Sequence, residues 1–295
     1  MRDKYVKEGT IRKLLERCMA SSCDFAEIFE EEGTTESLSM LNGKLEDTNV
    51  LIRAGIGIRL YKGVQSVYGY TNETSEESLN ALADDLRGGF GIESKSVSIS
   101  LVEETHENLH PIKENPVEAS LESKVALMVR ASDAAKAYSD KIQKVSVGLA
   151  SVCQNVQISN SEGRLVHDTR IRCRMSVSSF AQDGQNLQSG YEAPGASKGL
   201  EFFEERTPES IGQEASRIAL VLLEAKDCPS GKMPVIIDNG FGGVIFHEAC
   251  GHALEASSVS KNQSVFCNKL GQKVASDKVT AIDDGTIPKI GRAHV

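Results

Sequence analysis

The sequence predicts an α+β protein in which helices pack against antiparallel β-sheets. Three features lead to this prediction. Stretches with alternating apolar residues are joined by tight turns such as Asn42-Gly43, a pattern typical of β-hairpins. Amphipathic helices flank these hairpins, and the same order of elements occurs twice along the chain. The composition, with 40% hydrophobic and 25% charged residues among 295, is that of a globular protein.

The first half of the chain is expected to begin with an amphipathic helix over residues 5–20. Ser75 is expected to cap a second helix, which has an acidic first turn and ends at Gly88-Gly89. Between the two helices we expect strands, joined at Asn42-Gly43 and Lys62-Gly63, over residues 25–29, 36–41, 49–61 and 64–70.

The second half follows a polar stretch at 103–118 that contains two prolines and is predicted to be a linker. A helix is expected over 121–138, and another should begin at Thr207-Pro208 and end near Ala225, with threonine as the cap and proline in the first turn. Strands are predicted at 142–152, 156–159, 165–180 and, as a short buried strand, Pro234–Asp238.

The two halves share residues at a constant offset of 121 positions. The recurrence predicts a structural pseudo-repeat, with chance as the alternative. Asp47, Thr48, Arg53, Gly63, Gly69 and Tyr70 recur as Asp168, Thr169, Arg174, Gly184, Gly190 and Tyr191.

We therefore expect an N-terminal α/β domain at 1–110, a second α/β unit at 111–230, and the start of a metal-binding domain at 231–288. Residues 289–295 do not fit the preceding pattern, and Ile290–Val295 matches one reading frame of a common sequencing adapter. We expect this tail to be artefactual, which would mean that the natural chain continues past Pro288; a genuine short tail is the alternative.

Composition also excludes several functions. A net charge of −9, no dense basic stripe and no tryptophan disfavour direct nucleic-acid binding. No apolar run is long enough to predict a membrane span or a secretion signal, so the cytoplasm is the expected location. The seven scattered cysteines are expected to be free thiols.

The segment from Val244 to Glu255 contains the residues that carry chemistry, arranged as H-E-x-x-x-H with His247, Glu248 and His252. Imidazoles bind zinc, and an adjacent carboxylate can take a proton from a zinc-bound water. Five residues of an ideal α-helix, however, separate the two rings by about 140°. A metal site therefore requires a distorted helix, and a π-type turn near Gly251 is the predicted distortion.

The alternative is that these are ordinary surface or core residues, as most histidines on helices are. The apolar flanks and the glycine-rich approach favour a metal site, since burying two histidines and a glutamate is costly unless something pairs with them. Glu255 could orient a histidine or be solvated. Other candidates are weaker: we expect His106 and His110 to be solvated, His167 to be structural, and the glycines at 240–243 to form a tight turn rather than a phosphate loop.

The stretch from His247 to Glu255 resembles the metal motif of the TldD/PmbA family, whose members were once described as modulators of DNA gyrase and are now regarded as cytosolic metalloproteases. Supporting similarity lies at Asn42–Glu46, at Asp238-Asn239-Gly240 and at Asp283–Thr286. In that family the TldD-type subunit keeps the motif and its TldE or PmbA partner lacks it. This chain therefore resembles the catalytic subunit.

The resemblance implies that His247 and His252 bind zinc and that Glu248 is the general base for the zinc-bound water. It also implies a third ligand, a cysteine from a C-terminal domain, that nothing in this chain matches; neither Cys250 nor Cys267 is assigned to that role. Unfolded or short peptides are the implied substrates, and a TldE/PmbA-type subunit is the implied partner in a hetero-oligomer.

The predicted function is thus that of a zinc-dependent peptidase subunit. A non-catalytic peptide-binding or scaffold subunit of the same kind of complex is the alternative, and a gyrase-binding regulator fits the acidic charge less well. With two histidine ligands, the 295-residue chain by itself is expected to bind zinc weakly and to be inactive.

Overall fold

The computed structural model describes residues 5–91, 95–105, 107–238 and 242–282. Of these, residues 5–62 and 66–226 form one compact unit, and residues 63–65 and 227–282 belong to a second. Across the described residues, no helix combines the length and hydropathy that crossing a bilayer would require.

The first unit is built on one mostly antiparallel sheet, so the predicted α+β class is confirmed. Its strand order is β3-β2-β1-β5-β6-β4, and β7 and β8 both pair with β6; β4 runs parallel to β6. The strands are β1 (Phe25–Leu41), β2 (Lys44–Lys62), β3 (Gln65–Thr71), β4 (Val102–Glu104), β5 (Ile142–Asn160), β6 (Arg164–Asp183), β7 (Asn186–Glu192) and β8 (Gly195–Ala196).

The sequence predicted separate strands at 25–29 and 36–41, and at 142–152 and 156–159, but in each case the structure has one continuous strand. The acidic, glycine-containing stretch at 30–35 continues β1, because Gly33 pairs with Arg53 of β2 on one side and with Gln154 of β5 on the other. The polar stretch at 153–155 likewise continues β5, since Gln154 also faces Arg170 of β6. Hydrogen bonding from both neighbouring strands overrides the weak strand propensity of these residues.

The helices of this unit begin largely where the capping signals predict. They are α1 (Glu8–Met19), α2 (Glu76–Gly88), α3 (Leu121–Ala137), α4 (Phe202–Glu205) and α5 (Pro208–Glu224). The side chains of Ser75, Ser120 and Thr207 each accept a hydrogen bond from the backbone N–H three residues later. Each cap satisfies a donor that the first helical turn leaves unpaired.

Two hydrophobic cores lie on one face of the shared sheet. Ala26 and Ile28 near one end of β1 pack in a core with α1 and α2, whereas Leu38 and Met40 near the other end pack in a core with α3 and α5. Even-numbered side chains along β1 share a face, as the two-residue period of a strand requires. The two predicted halves therefore have separate cores and a common sheet.

The predicted pseudo-repeat is visible in the order of elements. The series α1-β1-β2-β3-α2 recurs as α3-β5-β6-β7-α5, with β8 and α4 inserted before α5, and β1 and β5 are adjacent and antiparallel. The matched glycines occupy equivalent places beneath the following helix: a Cβ at Gly69 would lie 2.7 Å from a methyl of Leu82 in α2, and one at Gly190 would lie 2.0 Å from the carbonyl oxygen of Ala215 in α5. The order of elements and the placement of these glycines agree with the predicted pseudo-repeat.

Candidate metal centre

The second unit carries the H-E-x-x-x-H segment on a chain of short helical turns. These are α6 (Gly243–Phe246), a π-turn (His247–Gly251), a 3₁₀ turn (His252–Leu254) and α7 (Ala256–Ser260). The N–H of His252 donates to the carbonyl of His247, the five-residue hydrogen bond that defines a π-turn. The predicted distortion next to Gly251 is thus confirmed.

The predicted strand at Pro234–Asp238 is wrong. Within the described residues, no other strand pairs with this segment, and a β-strand requires a hydrogen-bonded neighbour.

The π-turn brings the two imidazoles to the same side of the segment. The ring centroids of His247 and His252 lie 4.4 Å apart with an interplanar angle of 66°. One ligand atom from each of His247, Glu248 and His252 lies within 4.8 Å of the others. An ideal α-helix would have separated the rings, so the extra residue in the turn creates the cluster.

Glu248 and Glu255 lie on different sides of the His252 ring. A carboxylate oxygen of Glu248 is 3.9 Å from Nε2 of His252, whereas Oε1 of Glu255 is 2.8 Å from Nδ1. The hydrogen bond to Glu255, followed by the charges of Glu255 and Glu248, raises the pKa of His252 above its ordinary value. Of the two roles that the sequence left open for Glu255, the structure shows contact with the histidine.

The donor set fits a zinc ion in its chemistry. Two neutral imidazoles are common zinc ligands, and an adjacent carboxylate supplies either a further oxygen or a base. His247 is half-buried, while the side chains of Glu248 and His252 are 66% and 48% exposed. The cluster is therefore open to solvent.

The remaining predicted candidates lie outside this cluster. Cys250 is half-buried and Cys267 hydrogen-bonds locally, donating to the carbonyl of Val259. His167 is structural as predicted, with Nδ1 3.1 Å from Glu103 and Nε2 2.7 Å from Gln157. His110 is half-buried rather than solvated.

Three other predictions fall on residues outside the described ranges. These are the solvation of His106, the turn at Asn239-Gly240-Phe241, and the tail at 289–295.

The fold and the cluster define an α+β protein with a group of side chains that could hold a metal ion, and comparison with known proteins identifies the family. Models of the PmbA/TldA metallopeptidase match in three consecutive parts: domain 1 at 26–88, the central domain at 114–223, and the C-terminal domain at 230–294. The chain belongs to the TldD/PmbA metallopeptidase family.

Curated relatives carry metalloprotease names. The chain is 30% identical over 285 residues to the metalloprotease TldD homolog of Buchnera aphidicola, covering 92% of this chain and 58% of the relative. It is 31% identical over 271 residues to that of Haemophilus influenzae, covering 90% and 56%. It is 34% identical over 273 residues to metalloprotease MJ0996 of Methanocaldococcus jannaschii, covering 90% and 59%. The chain thus spans a little over half the length of these relatives.

Solved structures with the same fold share little sequence with the chain. A protein of Bacteroides thetaiotaomicron with a gyrase-modulator name has a TM-score of 0.72 at 16% identity, covering 92% of this chain and 62% of that one. TldE from Thermococcus kodakarensis has a TM-score of 0.60 at 16% identity, covering 88% and 58%. At these identities the likeness shows the fold alone.

Proposed function

We propose that this chain is the catalytic, TldD-type subunit of a zinc-dependent peptidase. The observation that carries the proposal is the convergence of His247, Glu248 and His252 on a π-turn. The metalloprotease names of the relatives support the same reaction class.

In this proposal, His247 and His252 hold the zinc and Glu248 acts as the general base. Zinc, when bound, supplies a Lewis acid that makes water nucleophilic at neutral pH and polarises a carbonyl. Glu248 is 66% exposed and lies 3.9 Å from His252, so it can reach both solvent and the region between the rings. It takes a proton from the attacking water and can return it to the leaving amine. The family resemblance implies that a cysteine is the third zinc ligand. We assign no residue of this chain to that role.

The proposed substrates are unfolded or short peptides, and the proposed partner is a TldE/PmbA-type subunit in a cytoplasmic hetero-oligomer. The resemblance of the motif to the TldD-type subunit and the shared fold with TldE support that partnership. We further propose that residues 1–110 are an N-terminal α/β domain, that residues 111–230 are a second α/β unit on the same sheet, and that the metal-binding domain starts at 231, next to residue 230, where the match to the C-terminal family model begins.

The test uses the full-length natural protein together with its partner subunit, and compares it with the Glu248→Gln variant. Zinc content is measured by mass spectrometry and cleavage is measured with a library of unstructured peptides. We expect about one zinc per catalytic chain in both proteins and cleavage in the unsubstituted one only. Unchanged cleavage in the variant would contradict the role of Glu248. Zinc binding without cleavage in either protein would favour a non-catalytic peptide-binding subunit.

A further inference from the structure

Glu255 is the acidic side chain that touches a proposed zinc ligand from the side opposite the cluster. Its Oε1 lies 2.8 Å from Nδ1 of His252. A carboxylate accepts hydrogen bonds and cannot donate them when ionised, so the hydrogen of this contact belongs to Nδ1. In the neutral imidazole the lone pair is then on Nε2, the nitrogen 3.9 Å from Glu248.

The backbone turn between His252 and Glu255 brings these two side chains together. Glu255 follows the 3₁₀ turn that begins at His252, and its N–H donates to the carbonyl of His252. In such a turn, side chains three residues apart lie above one another, which places the Glu255 carboxylate beside Nδ1 of His252. The same geometry keeps Glu255 out of the cluster, where the carboxylate that approaches the two histidines is that of Glu248.

The two histidines differ in whether a carboxylate hydrogen-bonds to the imidazole. His247 has no hydrogen-bonded carboxylate in the described part of the chain; its Nδ1 lies over Gly251, where an added Cβ would stand 3.4 Å away. Its ring is held by packing against the glycine and by contact with the ring of His252, 4.4 Å between centroids. Among the described residues, the contact with Glu255 is thus the side-chain hydrogen bond that orients an imidazole of this pair.

We propose that Glu255 is the positioning residue of the metal site: it holds His252 as the Nδ1–H tautomer and aims Nε2 into the space beside His247 and Glu248. The inference rests on the proposed function, since it assumes that His252 is a zinc ligand. Carboxylates that hydrogen-bond to a metal-binding histidine fix its tautomer and ring orientation and raise its basicity as a ligand. Glu255 neither binds the metal nor touches substrate in this assignment.

The first test needs no metal. Nitrogen-15 NMR of the metal-free chain reports which imidazole nitrogen carries the hydrogen. Free imidazoles favour the Nε2–H form, so a His252 in the Nδ1–H form is the signature of the carboxylate contact. We expect that form in the unsubstituted chain and in Asp277→Asn, a control that removes an ion-paired carboxylate of the same unit. Glu255→Ala should shift His252 to the Nε2–H form.

The second test measures zinc affinity by chelator competition, with the same substitutions placed in the protein and partner subunit that test the proposed function. We expect Glu255→Ala to weaken zinc binding by about 10- to 100-fold, the range for loss of a partner that orients a ligand. Glu255→Gln keeps the length and an accepting oxygen, so it should restore part of the affinity. Because the Glu255 side chain is 38% exposed, both variants should fold, as circular dichroism would verify.

His252→Ala distinguishes a failure of the positioning role from a failure of the proposed metal site. If His252→Ala abolishes zinc binding while Glu255→Ala changes neither the tautomer nor the affinity, Glu255 is not a positioning residue and the proposed function stands. If His252→Ala leaves zinc binding unchanged, the proposed metal site is wrong and the inference falls with it.

Discussion

The ion pair between Lys124 of α3 and Glu36 of β1 gives a quantitative prediction about the core. The ammonium group of Lys124 hydrogen-bonds to Oε2 of Glu36, and the two side chains are 2% and 13% exposed. Glu36→Gln removes the negative charge and leaves an almost fully buried ammonium beside a neutral amide. Removing one partner of a buried pair costs about 3–5 kcal/mol. We expect the lower end, about 3 kcal/mol, because the glutamine oxygen can still accept the hydrogen bond.

The assay is urea unfolding followed by far-ultraviolet circular dichroism, which detects the sheet of the first unit. A loss of about 3 kcal/mol should also lower the melting temperature by about 6–12 °C for a unit of this size. The matched control is Asp183→Asn, which breaks the pair between Lys141 and Asp183, whose side chains are 42% and 63% exposed. Exposed pairs contribute about 0–1 kcal/mol, so the control should change little.

A double variant checks the cause. Lys124→Met combined with Glu36→Gln removes the buried charge itself, so it should be more stable than Glu36→Gln alone. Two results would refute the reasoning: a loss below about 1 kcal/mol in Glu36→Gln, the level of an exposed pair, or a double variant that is no more stable than that single one.

The other predictions concern the metal centre and the repeat. Glu248→Gln should leave zinc content unchanged and slow peptide cleavage by about 10²- to 10⁴-fold in the full-length protein, the contribution of a general base. Gly190→Ala should destabilise the first unit by about 1–3 kcal/mol, because its Cβ would lie 2.0 Å from a backbone oxygen of α5. Gly69→Ala, at the matching position, should cost less in the same unfolding assay, because its Cβ meets a leucine methyl at 2.7 Å that can rotate away. Gly251→Ala should change zinc affinity little, because its Cβ would stand at an ordinary 3.4 Å contact from His247.

The sequence by itself determined features that depend on local chemistry. Ser75 and Thr207 cap helices because a hydroxyl at that place satisfies a free N–H whatever surrounds the helix. Asn42 and Gly43 form the predicted turn with positive φ angles of 47° and 79°. The π-turn also followed from spacing, since H-E-x-x-x-H can bring both imidazoles to one side only when the helix widens.

Only the tertiary structure decided features that depend on distant neighbours. The stretch around Gly33 is a strand because β2 and β5 bond it from both sides, and its own composition opposes that state. Pro234–Asp238 has the composition of a strand, but no strand of the described residues forms a ladder with it. From its spacing in the sequence, Glu255 could have faced solvent or His252. In the structure, the 3₁₀ turn brings its carboxylate within hydrogen-bond distance of Nδ1 of His252. Such a contact depends on backbone and side-chain torsion angles, which residue spacing does not specify.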